Sequence, residues 1–144
     1  VELLVGIDPG HDGGICLFEG GELVKTFTWS GKKWAGYCDA LQEVWSCVPM
    51  DRTATVILEV PVNKGRKGWR TWLSQGRYWG STEKFCRLNG WKLVTVHPST
   101  WKTLLRKHIG TTDKAAAMTL AQMNHDGLAD AYCMVRWWEE SNAG

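Results

Sequence analysis

The sequence predicts a mixed α/β domain built on a central sheet, and three observations carry that prediction. Three short runs rich in β-forming residues stand at the N-terminus, separated by tight-turn residues. A continuous apolar run, TATVILEV, sits in the middle of the chain. Apolar residues recur at helical spacing between and after these strands. A length of 144 residues suits one domain spanning 1–144, large enough to bury roughly 68–70% of its unfolded surface.

The elements follow in order. VELLVGID predicts a strand over 2–8, closed by Pro9-Gly10. GICLF (14–18) predicts a second strand, Gly20-Gly21 a hairpin turn, and ELVKTFTW (22–29) an alternating third. In WAGYCDALQEVWSC (34–47), Trp34, Tyr37, Leu41, Val44 and Trp45 fall at helical spacing, and Pro49 ends the element. TATVILEV (53–60) has the unbroken apolar character of a strand covered on both faces, and Pro61 closes it. VNKGRKGWRTWLSQGRYWG (62–80) interleaves glycine, basic and aromatic residues. It predicts a mobile loop leading into a helix over STEKFCRLNG (81–90), with Asn89-Gly90 as the C-terminal cap. WKLVTV (91–96) predicts another buried strand. Pro98 starts a helix through LLRKH that ends at Gly110. Thr112 or Asp113 caps an Ala- and Met-rich helix reaching about Met123, and the last helix runs from about Gly127 to Glu140.

Composition removes several classes of function. No apolar run approaches the ~18 residues of a membrane span, and VELLVGID lacks the basic segment and small-residue cleavage site of a secretion signal. The five cysteines are odd in number, widely spaced and without a CxxC pair. They predict free thiols in a reducing compartment rather than disulfides or zinc. The net charge of +2 conceals a segregation: twelve basic residues lie between Lys64 and Lys114, opposed only by Glu83 and Asp113. A basic segment of this kind, including Lys64, Arg66, Lys67, Arg70, Arg77 and Lys84, points to a polyanionic partner.

The acids show a second pattern. Asp8 ends the first strand, Glu59 ends the buried strand, and Asp126 and Asp130 begin the last helix. A carboxylate at the edge of an apolar element is costly to desolvate without a cation. Asp126 and Asp130 are four apart, so they share a helix face and repel each other. Divalent metal would turn that repulsion into binding. Oxygen-only ligands suit Mg2+ or Mn2+. Four acids on separate segments suit a pair of ions acting on a phosphodiester.

These residues, taken in order, resemble a known family. GIDPGHDGG (6–14), VILEV (56–60), VHPSTWKTLL (96–105), TDKAAAM (112–118) and HDGLADAYCM (125–134) are similar to RuvC-type Holliday junction resolvases, especially short phage-like ones. The resemblance covers nearly the whole chain. It implies an RNase H-like fold, with a mixed five-stranded sheet of order 3-2-1-4-5 flanked by helices. It implies a homodimer that resolves four-way DNA junctions in recombination and repair by paired symmetric nicks, using two Mg2+ ions for which Mn2+ substitutes. If the protein is phage-encoded, its place is the bacterial cytoplasm.

By the same resemblance Asp8, Glu59 and Asp130 are metal ligands. The remaining acidic position falls at Asp126, with His125 as the alternative, and Gly127 leaves room beside the metal. Lys102 and Lys114 match lysines near the scissile phosphate, where a cation stabilises the transition state. The Arg- and Trp-rich segment after Glu59 matches the region that reaches the junction. There Trp69, which follows Gly68, is the expected wedge, stacking on bases at ~1–3 kcal/mol each. The expected activity is a metal-dependent, structure-selective endonuclease. The alternatives are a related nuclease acting on flaps, forks or RNA–DNA hybrids, and a junction-binding protein without cleavage. A nucleotide-binding module of the actin-like type also carries an IDPG-like turn, but its usual two-domain architecture needs far more than 144 residues.

Overall fold

The computed structural model describes residues 2–29, 33–61 and 68–143. Strands β1 (Leu3–Asp8), β2 (Gly14–Glu19), β3 (Glu22–Thr28), β4 (Ala54–Glu59) and β5 (Lys92–Val96) form one sheet of order β3-β2-β1-β4-β5. This is the predicted order. β2 pairs antiparallel with β1 and with β3, as the two short turns require. β4 runs parallel to both β1 and β5.

Strand alternation splits the core into two layers. Leu3, Val5 and Ile7 of β1 and Val56 and Leu58 of β4 face one side, which α1 (Lys33–Cys47) and α2 (Trp69–Asn89) cover through Tyr37, Leu41, Val44, Tyr78 and Cys86. Leu4, Cys16, Phe18 and Ile57 face the other side. That side is covered by α3 (Pro98–Trp101), α4 (Thr103–His108), α5 (Lys114–Ala121) and α6 (Asp126–Ser141). Burial of β4 on both faces explains why it reads as an unbroken apolar run. All five cysteines are free, as expected.

Three boundaries differ from expectation. The helix expected from residue 81 begins at Trp69, so only 62–67 of the predicted loop falls outside the described residues. Glycines 76 and 80 disfavour a helix by about 1 kcal/mol each. Packing prevails because Tyr78, Thr82 and Cys86 fall on one buried stripe against α1. The Thr82 hydroxyl there bonds both the Tyr37 hydroxyl and the Tyr78 carbonyl. The predicted cap at Gly90 is present, with the left-handed φ of 67° that glycine accepts. The helix expected from Pro98 to Gly110 is two short helices, because the turn tightens at Lys102, whose carbonyl accepts from Leu105 N–H at 3.0 Å. α5 is capped by Asp113, whose carboxylate accepts from Ala116 N–H at 2.9 Å. It stops at Ala121 because Gln122 turns left-handed, with φ 55°.

α6 lies unusually close to the sheet. A Cβ at Gly6 would stand 2.2 Å from the Ala131 carbonyl oxygen, and one at Gly127 would stand 2.4 Å from that of Asp12. Gly127 therefore does not leave open room, as expected from the sequence. Its space is taken by the Asp12–Gly13 backbone, with which it forms an isolated bridge. Because backbone cannot yield as a side chain does, Gly127→Ala is expected to cost about 1–3 kcal/mol. A thermal melt would show a Tm several degrees lower.

Candidate active site

The carboxyl ends of parallel strands β1 and β4 lie side by side, since Ile7 pairs with Leu58 in their register. Asp8 and Glu59 are the next residues on each, so the topology alone brings these two acids to one edge of the sheet. Open α/β sheets place their ligand crevices at this edge. The turn after Asp8 is anchored by the Trp29 indole N–H, which donates to the Gly10 carbonyl at 2.7 Å. Gly10 holds φ 129°, a conformation open to glycine. On β4, Glu59 accepts a 2.6 Å hydrogen bond from the indole N–H of Trp101, a fully buried residue of α3. Trp101 therefore fixes the orientation of a site carboxylate, a role the sequence reading did not assign. Its only signal was its place one residue before Lys102.

The Gly13–Gly127 contact sets the start of α6 beside the β1 turn, and with it Asp126 and Asp130. Two adjoining clefts result. The larger, about 510 Å3, is bounded at one end by Glu59, Lys102 and Asp130. The smaller, about 260 Å3, holds Asp8, Asp12, Lys114, Asp126 and Asp130. Pro9, Gly10 and Asp130 belong to both.

Electrostatics binds these groups into one cluster. Burial, then repulsion from Glu59 and Asp130, holds the Asp8 carboxyl well above the usual carboxylate range. Lys102 opposes this and Asp126 adds to it. Asp130 is pushed up to about 7, first by burial and then by Glu59, against the pull of Lys102 and Lys114. Lys114 also pairs with Asp126 at 3.4 Å, a contact made largely in solvent. His125 caps α6 and its Nδ1 accepts from Leu128 N–H at 3.1 Å. A neutral imidazole so bonded carries its proton on Nε2 and has no lone pair left for a metal.

The donor set fits hard divalent cations. It consists of carboxylate oxygens, and buried charge at Asp8 and Asp130 lacks a full counterion. Among the described residues no three such side chains converge tightly enough to cage one ion. Mg2+ commonly binds through one or two carboxylates, with water and substrate phosphate completing its shell. Spread acids suit that mode.

Of the predicted nucleic-acid residues, Trp69, Arg70, Arg77 and Lys84 lie on α2. Trp69 is 69% exposed. The Arg70 guanidinium lies over the Trp69 ring, 5.3 Å from its centroid, and Arg77 lies 4.3 Å over Trp34. Lys84 is exposed on the same helix. Lys64, Arg66 and Lys67 lie outside the described residues. Trp79 packs against the core and Trp72 is half-buried.

Sheet order, flanking helices and an acid cluster at the β1–β4 edge define the RNase H-like class of fold. The solved structures similar to this chain include two of RuvC. Thermus thermophilus RuvC in complex with a Holliday junction substrate aligns with TM-score 0.67 at 12% identity, over 99% of this chain and 97% of that one. Thermus thermophilus RuvC on its own aligns with TM-score 0.64 at 15% identity, over 96% of each. YeaZ from Pseudomonas aeruginosa aligns more loosely, with TM-score 0.50 at 9% identity over 76% of this chain and 51% of that one. No protein-family model and no curated protein sequence matches. At such identities the likeness is one of fold.

Proposed function

We propose that this chain is a single-domain, metal-dependent endonuclease that cuts branched DNA, four-way junctions first among them, by paired symmetric nicks. The observation that carries this reading is the placement of Asp8, Glu59, Asp126, Asp130 and Lys102 around two adjoining clefts at one sheet edge. The fold supports it, being shared with a RuvC bound to a Holliday junction.

In this reading Asp8, Glu59, Asp126 and Asp130 hold two Mg2+ ions, with Mn2+ able to substitute. Asp126 is the fourth ligand rather than His125, whose Nδ1 lone pair is engaged in capping α6. The ions, when bound, supply charge stabilisation of the attacking and leaving oxygens. Trp101 holds Glu59 in place. Lys102 faces the acids from the larger cleft and offsets charge on the phosphate in the transition state. Lys114 does so from the smaller cleft.

Arg70, Arg77 and Lys84 neutralise backbone phosphates, together with Lys64, Arg66 and Lys67, and this makes binding salt-dependent. Trp69 stacks at the branch point. Paired nicks require two sites, hence a homodimer. An exposed stripe on α2, with Leu73 above Gly76 and Gly80, is compatible with a close partner helix. No helix is long and apolar enough to cross a membrane among the described residues.

The test is a labelled four-way junction incubated with Mg2+ beside flaps, forks and RNA–DNA hybrids. Symmetric nicks on opposing strands, at least about tenfold faster than cuts in the other substrates, are expected. Faster cutting of a flap or hybrid would reassign the substrate, and binding without any cutting would remove the nuclease.

A further inference from the structure

The two lysines at the clefts behave differently. Lys114 pairs with Asp126 at 3.4 Å. Lys102 lines the same cleft as Glu59 and Asp130, and its charge pulls the Asp8 and Asp130 carboxyls downward. Yet among the described residues Lys102 forms no ion pair. Attraction between opposite charges strengthens as water is excluded. An ammonium that stays apart from the carboxylates around it is therefore restrained.

The restraint is the ring of Trp101. The Lys102 Nζ lies over it, 5.7 Å from the centroid, inside the ~6 Å of a cation–π contact. The same ring meets Glu59 in a different direction, through the in-plane indole N–H that donates to Glu59 Oε2 at 2.6 Å. An aromatic face is negative and its edge positive, so each charge meets the surface that attracts it. The ring itself has little freedom. Trp101 is fully buried, in the layer that also holds Leu105, Ala129, Cys133 and Met134. The backbone around it is bonded on both sides. Trp101 N–H donates to the His97 carbonyl at 3.3 Å, and Lys102 N–H donates to that of Pro98 at 3.0 Å. The His97 Nδ1 caps α3 by accepting from Ser99 N–H at 3.1 Å.

We propose that Trp101 is a positioning residue with two tasks: its edge orients Glu59 to receive a divalent cation, and its face holds the Lys102 ammonium away from Glu59. The carboxylate is thereby left to the metal and the lysine to the phosphate. The proposal rests on the nuclease reading above and adds the device that stops the two groups from neutralising each other. Without the face, Lys102 closes on Glu59 as an ion pair, and a metal has to break that pair to bind. Without the N–H, Glu59 loses its fixed orientation. A residue bonded behind a metal ligand typically governs 10–100-fold in metal affinity.

The test is Mn2+ binding to the DNA-free protein, followed by electron paramagnetic resonance, in the wild type, Trp101→Phe and Trp101→Met, each with and without Lys102→Met. Phenylalanine keeps the face and loses the N–H, whereas methionine loses both. Trp101→Phe is expected to bind Mn2+ about tenfold more weakly. Lys102→Met should raise affinity at least about fivefold more in the Trp101→Met background than in the wild type, because only there does the lysine occupy Glu59. A general folding defect does not produce that rescue. A ring-current upfield shift of the Lys102 ε-methylene protons, identified by its loss in Lys102→Met, reads the face contact in an unaltered Trp101 protein. Equal Mn2+ affinity in the wild type and Trp101→Phe overturns the proposal. So does an unshifted methylene, or a Lys102→Met effect that is the same in both backgrounds. Each of these leaves the nuclease reading standing, whereas a wild type that binds no Mn2+ removes that reading along with the proposal.

Discussion

Asp8→Asn is expected to slow cleavage of a four-way junction by at least about 10²–10³-fold while leaving junction affinity within about threefold of wild type. Asp8 is buried and is repelled by Glu59, Asp130 and Asp126. Asparagine keeps its shape and removes its charge, so in the proposed reading a bound metal would lose one ligand while the fold remains. Phosphate binding has no use for that carboxylate and is slightly relieved of its repulsion. Single-turnover cleavage with Mg2+ and gel-shift binding without it separate the two effects. Undiminished cleavage would remove Asp8 from the chemistry. Affinity lost in step with cleavage would make it a structural residue.

Asp130→Asn is expected to stabilise the metal-free protein, and only at neutral to alkaline pH. The folded chain binds a proton at Asp130 more tightly than the unfolded chain does, up to about 7 against an ordinary 3.8. Between those values the folded state carries more protons, so stability falls as pH rises. The favourable contribution is complete below about pH 4 and gone above about pH 7. At ~1.36 kcal/mol per unit the penalty above pH 7 is at most on the order of 4 kcal/mol. Asparagine carries no charge to desolvate. Its Tm at pH 8, in chelator, is expected to exceed wild type by roughly 5 °C or more. The two should melt together at pH 4. Mg2+ should raise the wild-type Tm at pH 8, since a ligand of the folded state stabilises it by mass action. It should do so far less in the variant. Equal melting temperatures at both pH values would mean that Asp130 bears no unpaid charge.

Much of this was legible in the sequence, and the reasons differ by residue. β4 was visible because it is covered on both faces and is apolar almost throughout, and β1 because it is rich in β formers and ends at a Pro-Gly turn. Asp8 and Glu59 stood out because a carboxylate ending such a run has few cheap explanations. Asp126 and His125 were harder to rank, since either can start a helix. The proposed reading favours Asp126 on the Leu128 N–H accepted by His125, a contact without a spacing signature. The start of α2 was hidden by its glycines, because helix propensity is local and the burial of Tyr78 and Thr82 is not.

The Gly13–Gly127 contact also has a bearing on how the molecule is made. Asp8 and Glu59 leave the ribosome with the sheet's first strands, whereas Asp126 and Asp130 arrive on α6, after every strand and the preceding helices. Only when that helix seats against the Asp12–Gly13 backbone do the acids meet. Under the proposed nuclease reading, the nascent polypeptide, surrounded by messenger and ribosomal RNA, would carry an unassembled centre until α6 is complete.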